Sequence, residues 1–563
     1  MMEKDPTGWY EAGLPARERK LRGHFSTPPQ LVEQILDACG YTAQNDLSRL
    51  RVLDPACGSG NFLLGAARRL IAYGQQSGLT PKKSAALVQR NVWGLDPDPV
   101  ACFLAEMQLR SILPPQRQPR RLHIHQADGL SLPWGEDTPV DLFLANPPYL
   151  AAKNNDLSVY RSLSQQGQSD SYLLFLNLAL QAVRPDGWIG LVLPDPVLAR
   201  ANAARERQRL LAETTIHHLW HLANVFTAYV GAVVIIAQKR SPSTLHHISW
   251  QRERWQRSSE TKQVAIPVQE QPGVAKTLAQ ALLSSQPGAE LRYLLSDVQG
   301  TLITRLHTSL HSPHVNSVPH GLARLDQIVT VRRGEEIGKD SSLLCATPPR
   351  AAEAHAWYPV LRGGVDIQPY SQPDARCWIA RAAITKSLKR YLAPKLLVIK
   401  SMGRLQAALD LKGHVVLQTL YLLQPHRREN APTQKEDAAT QEEDELYFLL
   451  ALLNSRLLQE YVYVLYTAYK WVQPQIEQHV LAGLPIPTRA SARQKAQIIA
   501  RARIIVNACS LAAPVVELKA QLSELYEEQE RAIRALYEVA LQYGQAAVTI
   551  GTTGSTTINN TIS

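Results

Sequence analysis

Four times between residues 51 and 149 a short β-rich run stops at a polar side chain and gives way to a turn or a stretch of helical period. The runs are 51–53 before Asp54, 92–95 before Asp96, 121–125 before Asp128 and 142–145 before Asn146, and two more lie at 187–193 and 232–238. Between them 61–73, 99–111 and 171–183 place apolar residues at spacings of three and four. Short strands alternating with amphipathic helices pack as a parallel sheet covered on both faces, so residues 24–240 are predicted to form a doubly wound, Rossmann-like α/β domain. The carboxyl ends of such strands open into the ligand crevice. Polar strand tips in succession therefore outline one cleft.

Beyond residue 240 the rhythm changes. His, Gln, Ser and Pro cluster through 241–320, which reads as a linker or inserted lobe; 321–488 mixes β-rich and helical runs as a mixed α+β domain; 489–545 has helical period. Residues 546–563, Thr-rich and uncharged, are expected to be disordered, and the charge-dense 427–445 reads as a mobile loop or insertion. Residues 1–23 form an N-terminal arm, too short for a fused nuclease domain.

Lys and Arg number 60 against 49 Asp and Glu, a formal charge of +11. Residues 1–240 hold 25 basic and 21 acidic side chains, a net of +4, which leaves +7 for 241–563. That excess suits a polyanionic partner. Apolar residues are 45% and charged residues 19%, an ordinary globular balance that excludes disordered and fibrous classes. The six cysteines include no CxxC pair, so neither a zinc site nor a disulfide framework is indicated, and no metal is expected. The N-terminus lacks an apolar signal core, and the strongest apolar run, 230–237, is far below the ~20 residues of a membrane span. A cytoplasmic location without membrane attachment is expected.

Asp54-Pro55-Ala56-Cys57-Gly58-Ser59-Gly60 is a strand tip running through a glycine turn into a helix, where the backbone can pass close to a ligand and the acid can accept from a ribose or an amino group. A dinucleotide fingerprint would need a third glycine, which this chain lacks, so NAD is disfavoured. Asp96 and Asp128, followed by Gly129, add two further strand-tip acids. Asn146-Pro147-Pro148-Tyr149 completes the set. Two prolines remove two N–H donors and stiffen the backbone, leaving the Asn146 amide oxygen and neighbouring carbonyls as an acceptor-rich corner suited to an exocyclic amino group. Tyr149 offers a ring face for a base. Cys57 has no paired base, which argues against a nucleophilic role.

These ordered motifs resemble the amino-methylating, S-adenosyl-L-methionine-dependent DNA methyltransferases, in particular the gamma group and its Taq-like adenine-N6 members. The resemblance implies a catalytic domain over 24–240. In it Thr27 of Phe25-Ser26-Thr27-Pro28-Pro29 meets the methionine carboxylate, and Asp54, Ala56, Gly58 and Gly60 surround methionine and ribose. Asp96 meets the ribose hydroxyls, and Asp128 and Gly129 lie near the cofactor adenine. Asn146, Pro147, Pro148 and Tyr149 are the implied catalytic tetrad, with Phe226 stacking on the target base opposite Tyr149. Segments 357–367, 394–400, 452–455 and 484–487 resemble markers of the group's target-recognition domain, implied over 321–488. Arg332, Arg333, Arg362, Lys400 and Arg404 are candidate contacts to double-stranded DNA.

The expected reaction is direct transfer of a methyl group to N6 of an adenine flipped out of duplex DNA, in restriction-modification or phage defence, with a separate restriction endonuclease or defence subunit as a possible partner. The alternatives are cytosine-N4 DNA or RNA amino-methylation, methylation of a protein glutamine, and a non-catalytic DNA-binding defence subunit. The 42 residues from Asp54 to Asp96 exceed the roughly 20 of a simple βαβ unit, so an extra helix is expected there.

Overall fold

Because β-strands buried on both faces need continuous apolar runs, the most apolar segments of the first 240 residues become the centre of one sheet. The computed structural model describes residues 25–553 except 116–118, 120, 132–139, 151–156, 161–162, 164–169, 227–230, 258–264, 268–275, 299, 312–320, 348–355, 427–434, 471–473 and 510–515. The chain divides into two compact units, Met1–Ser296 with Tyr469–Val472 and Asp297–Ala468 with Gln473–Ser563. The N-terminal arm expected over 1–23 lies outside the described residues.

In the first unit helix α1 (Pro29–Ala38) leads into strand β1 (Val52–Asp54), helices α2 (Asn61–Gln76) and α3 (Pro81–Asn91), strand β2 (Val92–Asp96), helix α4 (Pro99–Ile112) and strands β3 (His123–Gln126) and β4 (Val140–Ala145). Helix α5 (Ser171–Ala182), strand β5 (Val183–Pro194), helix α6 (Ala204–Glu213) and strands β6 (Thr215–Ala223), β7 (Ala232–Gln238), β8 (His247–Arg257), β9 (Ala265–Pro267) and β10 (Lys276–Ala279) follow. The strands join in the order β10-β8-β6-β7-β5-β4-β1-β2-β3, with β9 on β8. Neighbours from β3 through β5 are parallel, and the chain reverses direction across the sheet between β1 and β4. That reversal is where a doubly wound sheet leaves its crevice.

The sheet is mixed rather than parallel throughout. Strand β7 runs antiparallel to both β5 and β6. Only residues 224–231 separate β6 from β7, fewer than the dozen or so that a parallel crossover requires, so the chain turns straight back. The extra helix expected between Asp54 and Asp96 is present: α2 and α3 fill that span. Residues 241–320 are less of a linker than their composition suggested, since β8 pairs along β6 and β10 along β8, and the first unit continues to Ser296.

The second unit holds strands β11 (Leu322–Arg324), β12 (Val329–Arg333), β13 (Leu344–Cys345), β14 (Trp357–Leu361), β15 (Cys377–Ala380), β16 (Lys395–Ile399), β17 (Ala407–Asp410), β18 (Val415–Val416), β19 (Leu420–Pro425) and β20 (Pro485–Pro487). They form two four-stranded sheets, β12-β19-β16-β17 and β13-β15-β14-β18, and the pair β11-β20. Its longest helices are α7 (Lys435–Leu453), α8 (Ala492–Cys509) and α9 (Val516–Thr553). Two expectations shift here. The charge-dense stretch read as a loop enters α7 at Lys435, where Glu443 and Asp444 pair with Arg503 at 2.8 and 3.0 Å and Glu445 with Lys495 at 2.5 Å. The tail expected to be disordered from 546 begins inside α9, which runs to Thr553; the rest lies outside the described residues.

Candidate active site

The site is assembled where β1, β2, β3 and β4 end. Strand β1 delivers Asp54, almost wholly buried, and the chain then turns through Gly58 at φ 51° and Gly60 at φ 95°, left-handed values that glycine adopts without strain. Gly60 caps α2, and a Cβ there would sit 2.8 Å from the Ala105 Cβ on α4, so the turn can close on α4 only without a side chain. Strand β2 delivers Asp96 in the same way, and Asp98 caps α4 by accepting from the Val100 N–H at 2.9 Å.

The two acids hold the glycine turn. The Asp54 Oδ1 accepts from the Ala56 N–H at 3.1 Å, and the Asp96 Oδ2 accepts from the Gly58 N–H at 2.9 Å. Burial pushes the Asp54 carboxyl up to about 8, partly offset by the Ala56 N–H and reinforced by the Asp96 charge. Burial, with the charges of Asp54 and Asp96, also raises the Cys57 thiol well above its ordinary value, so it rests protonated.

Asp128 follows β3 and is held by the Leu130 N–H at 3.1 Å, the Ser131 hydroxyl at 2.8 Å and the Tyr160 hydroxyl. Burial, then the Asp128 carboxylate, pushes Tyr160 up to about 12. A Cβ on Gly129 would lie 2.1 Å from the Pro55 carbonyl oxygen, so this loop reaches the β1 turn only because residue 129 has no side chain.

Strand β4 carries the last corner. The Asn146 Nδ2 donates to the Phe25 carbonyl at 2.5 Å, and the Tyr149 hydroxyl donates to the Asn146 Oδ1 at 3.1 Å. A backbone carbonyl only accepts, so this contact fixes the amide with its nitrogen toward Phe25. Ser171, at the start of α5, donates to the Pro148 carbonyl and accepts from the Leu150 N–H at 2.9 Å, which pins the proline corner to α5. The Phe25–Thr27 segment is tied to α2 by the Asn61 Nδ2, which donates to the Ser26 Oγ at 2.9 Å and the Thr27 carbonyl at 2.8 Å.

These tips surround one cavity of about 280 Å³. Thr27, Asp54, Ala56, Gly58, Asp96, Asp128, Gly129, Asn146 and Pro148 line it, as do Phe25, Asn61, Tyr160 and Phe175. A Cβ built on Gly58 meets nothing within 4 Å, so the turn leaves space where a ligand can lie against the backbone. Gly60, Pro147, Tyr149 and Phe226 are not among the lining residues. Phe226 is buried in the core cluster of the first unit, and Tyr149 packs against that cluster. The pattern alone missed Tyr160, which reaches Asp128 from 32 residues away through loop geometry, and Asn61, whose place just after the glycine turn was a usable sign of a tether.

Of the candidate DNA contacts, Arg333 and Arg404 are exposed. Arg332 donates to the Gln424 Oε1 at 3.1 Å. Arg362 forms a two-pronged pair with the buried Asp366 at 3.1 and 3.2 Å, which raises its pKa and neutralises its charge. Lys400 is half-buried on a segment fixed by backbone bonds to Thr419 and Ile476.

A doubly wound sheet with an antiparallel β7, a glycine turn and acid-tipped strands around one cavity defines a methyltransferase-type α/β domain. Residues 10–265 match the N-6 DNA Methylase family and residues 359–486 match the TaqI-like C-terminal specificity domain. The chain thus carries an N-6 DNA methylase domain followed by a TaqI-like specificity domain, the pairing its motifs resemble. It is 26% identical over 210 residues to the type II methyltransferase M.VspI from Vibrio sp. (strain 343), covering 37% of this chain and 45% of that protein. It is 24% identical over 251 residues to the type II methyltransferase M.BstVI from Geobacillus stearothermophilus, covering 41% and 44%. These matches thus span less than half the length of either relative. The solved structure of the type IIL restriction-modification enzyme MmeI in complex with DNA shares the fold, with a TM-score of 0.58 at 13% identity over 96% of this chain and 81% of that one. Among the described residues no helix is long and apolar enough to cross a membrane.

Proposed function

We propose that the protein is a cytoplasmic, site-specific DNA methyltransferase that methylates N6 of an adenine turned out of the duplex, in a restriction-modification or defence setting. The observation that carries this is the meeting of the Asn146–Pro148 corner with Asp54, Asp96 and Asp128 around one cavity. S-adenosylmethionine fits the donor set: Asp54 and Asp96 would hold the ribose and amino groups, Asp128 and Gly129 the adenine end, and Thr27 the carboxylate. Bound there, it supplies an electrophilic sulfonium methyl.

The remaining work falls to side chains of this chain. The Asn146 Oδ1 and the Pro147 carbonyl accept the two hydrogens of the target amino group, drawing its lone pair out of conjugation with the ring. The Phe25 carbonyl keeps the Asn146 oxygen turned toward that group. Tyr149 and Phe226 grip the base, a stacking contribution of about 1 to 3 kcal/mol per base that offsets the few kcal/mol needed to unstack it. Double-stranded DNA is the partner, read by the second unit through exposed cations such as Arg333 and Arg404; a separate endonuclease would supply cleavage.

The test is transfer of labelled methyl into duplex DNA followed by nucleoside analysis. N6-methyladenine is expected, and Asn146→Ala should keep cofactor binding while losing transfer. Methyl found only on cytosine, or full activity in Asn146→Ala, would refute the reading.

A further inference from the structure

Three aromatic rings meet beside Asn146. Tyr149 and Phe226 stand 6.4 Å apart between centroids at 73°, too close to admit a base as they are. The Phe25 ring contacts both, 5.9 Å from Tyr149 and 5.7 Å from Phe226. The backbone of the same residue occupies Asn146, whose amide nitrogen bonds the Phe25 carbonyl while its oxygen takes the Tyr149 hydroxyl. The two rings and the amide oxygen assigned to the target base are therefore already in contact within the chain, the rings with Phe25 and the oxygen with Tyr149.

Resting on the adenine-methyltransferase reading, we infer that Phe25 is a placeholder: its ring occupies the target-base slot of the unloaded enzyme, and an incoming adenine must displace it. The space beside Tyr149 and Phe226, left empty, would forfeit dispersion contacts along both rings, and the Phe25 ring, the third corner of the cluster, supplies them. The segment is suited to a small displacement. Phe25 is only half-buried, whereas Ser26 and Thr27 just beyond it are anchored by Asn61 on α2, so the ring can swing out while the cofactor-side tether stays. Phe25 also lines the cofactor cavity, so with Asn146 it stands where the two halves of the site meet.

The experiment compares two duplexes containing the mapped methylation site, one with the target adenine and one abasic at that position. The abasic duplex has no base to insert and leaves Phe25 in place. Phe25→Ala should tighten binding of the adenine duplex by roughly 2- to 10-fold, the weight of an aromatic pair contact, with the abasic duplex unchanged. Phe25→Trp, a larger plug, should weaken the adenine duplex alone. If Phe25→Ala weakens the adenine duplex selectively, the ring is a wall of the loaded slot and the placeholder is refuted. Equal weakening of both duplexes reduces Phe25 to a structural residue and refutes it too. If wild type methylates adenine yet Phe25→Ala leaves the ratio of the two affinities unchanged, the placeholder alone is removed, whereas no methyl transfer to DNA by wild type removes the functional reading first.

Discussion

Asp54→Asn is the substitution whose outcome is most tightly dictated by the structure. The carboxyl is almost fully buried and its pKa is raised from 3.8 to about 8, first by desolvation. Between pH 3.8 and 8 the unfolded chain gives up this proton while the folded chain keeps it, so the unfolded state binds fewer protons and stability falls as pH rises through that window. At pH 7 about three units separate solution from the unfolded value, which at 1.36 kcal/mol per unit costs the folded state at most about 4 kcal/mol. Asparagine has the same shape, keeps an oxygen for the Ala56 N–H and has no proton to lose. Thermal unfolding of wild type and Asp54→Asn between pH 5 and 8 should therefore show the variant more stable by several degrees at pH 7, with a gap that widens as pH rises and levels off above 8. Cofactor affinity should move the other way, falling about tenfold or more, because a ligand that brings donors and positive charge can ionise Asp54 on binding, whereas asparagine has no proton to give up. A gap that stays flat across the pH range, or narrows as pH rises, would refute the claim that Asp54 is held protonated by burial.

Gly129→Ala drives a Cβ to 2.1 Å from the Pro55 carbonyl oxygen and 2.9 Å from its carbon, backbone atoms that cannot swing aside, so the Asp128 loop must move off the β1 turn; calorimetry should show cofactor binding weakened by about tenfold or more, with the first unit still folded. Arg404→Ala should weaken duplex binding and flatten its salt dependence by about one charge, measured by anisotropy titration, whereas Arg362→Ala should leave that slope unchanged and lower the melting temperature of the second unit, since Arg362 is neutralised by Asp366. Glu335, wholly buried, accepts from the Thr385 N–H and hydroxyl, the Lys386 N–H and the Tyr391 hydroxyl. Its replacement by alanine strands four donors and should destabilise the second unit by about 3 to 5 kcal/mol in denaturant unfolding.

The strands bearing the cavity were legible because each couples an apolar run to a polar tip, and both properties are local. Strand β8 was not read, although Ile248 and Trp250 are buried at period two, because Gln251, Arg252, Glu253 and Arg254 then break the alternation. The antiparallel turn of β7 depends on the length of a connection rather than on any residue type. Helix α7 was hidden for another reason: its acids are neutralised by Arg503 and Lys495 on α8, partners about 50 to 60 residues away that no window on the chain brings together. The ring of Phe25 belongs with these. Its motif is readable, but its position against both Tyr149 and Phe226 depends on how α1 and the end of β4 converge.

The polar groups of the cavity share one bias that explains what it selects. In a dinucleotide fold the backbone N–H groups of the glycine turn face a pyrophosphate. Here the Ala56 and Gly58 N–H groups are already given to Asp54 and Asp96, and two prolines withdraw further donors beside Asn146. The Tyr160 and Ser131 hydroxyls are likewise given to Asp128. What remains facing the space is a set of acceptors: the Asp96 and Asp128 carboxylates, the Asp54 carboxyl, an amide oxygen and backbone carbonyls. Such a lining repels phosphate and favours ligands that bring donors and positive charge, namely ribose hydroxyls, an ammonium, a sulfonium and an aryl amine. The missing third glycine and the strand-tip acids are thus two sides of one arrangement, in which the turn's donors are spent internally so that the cavity can accept.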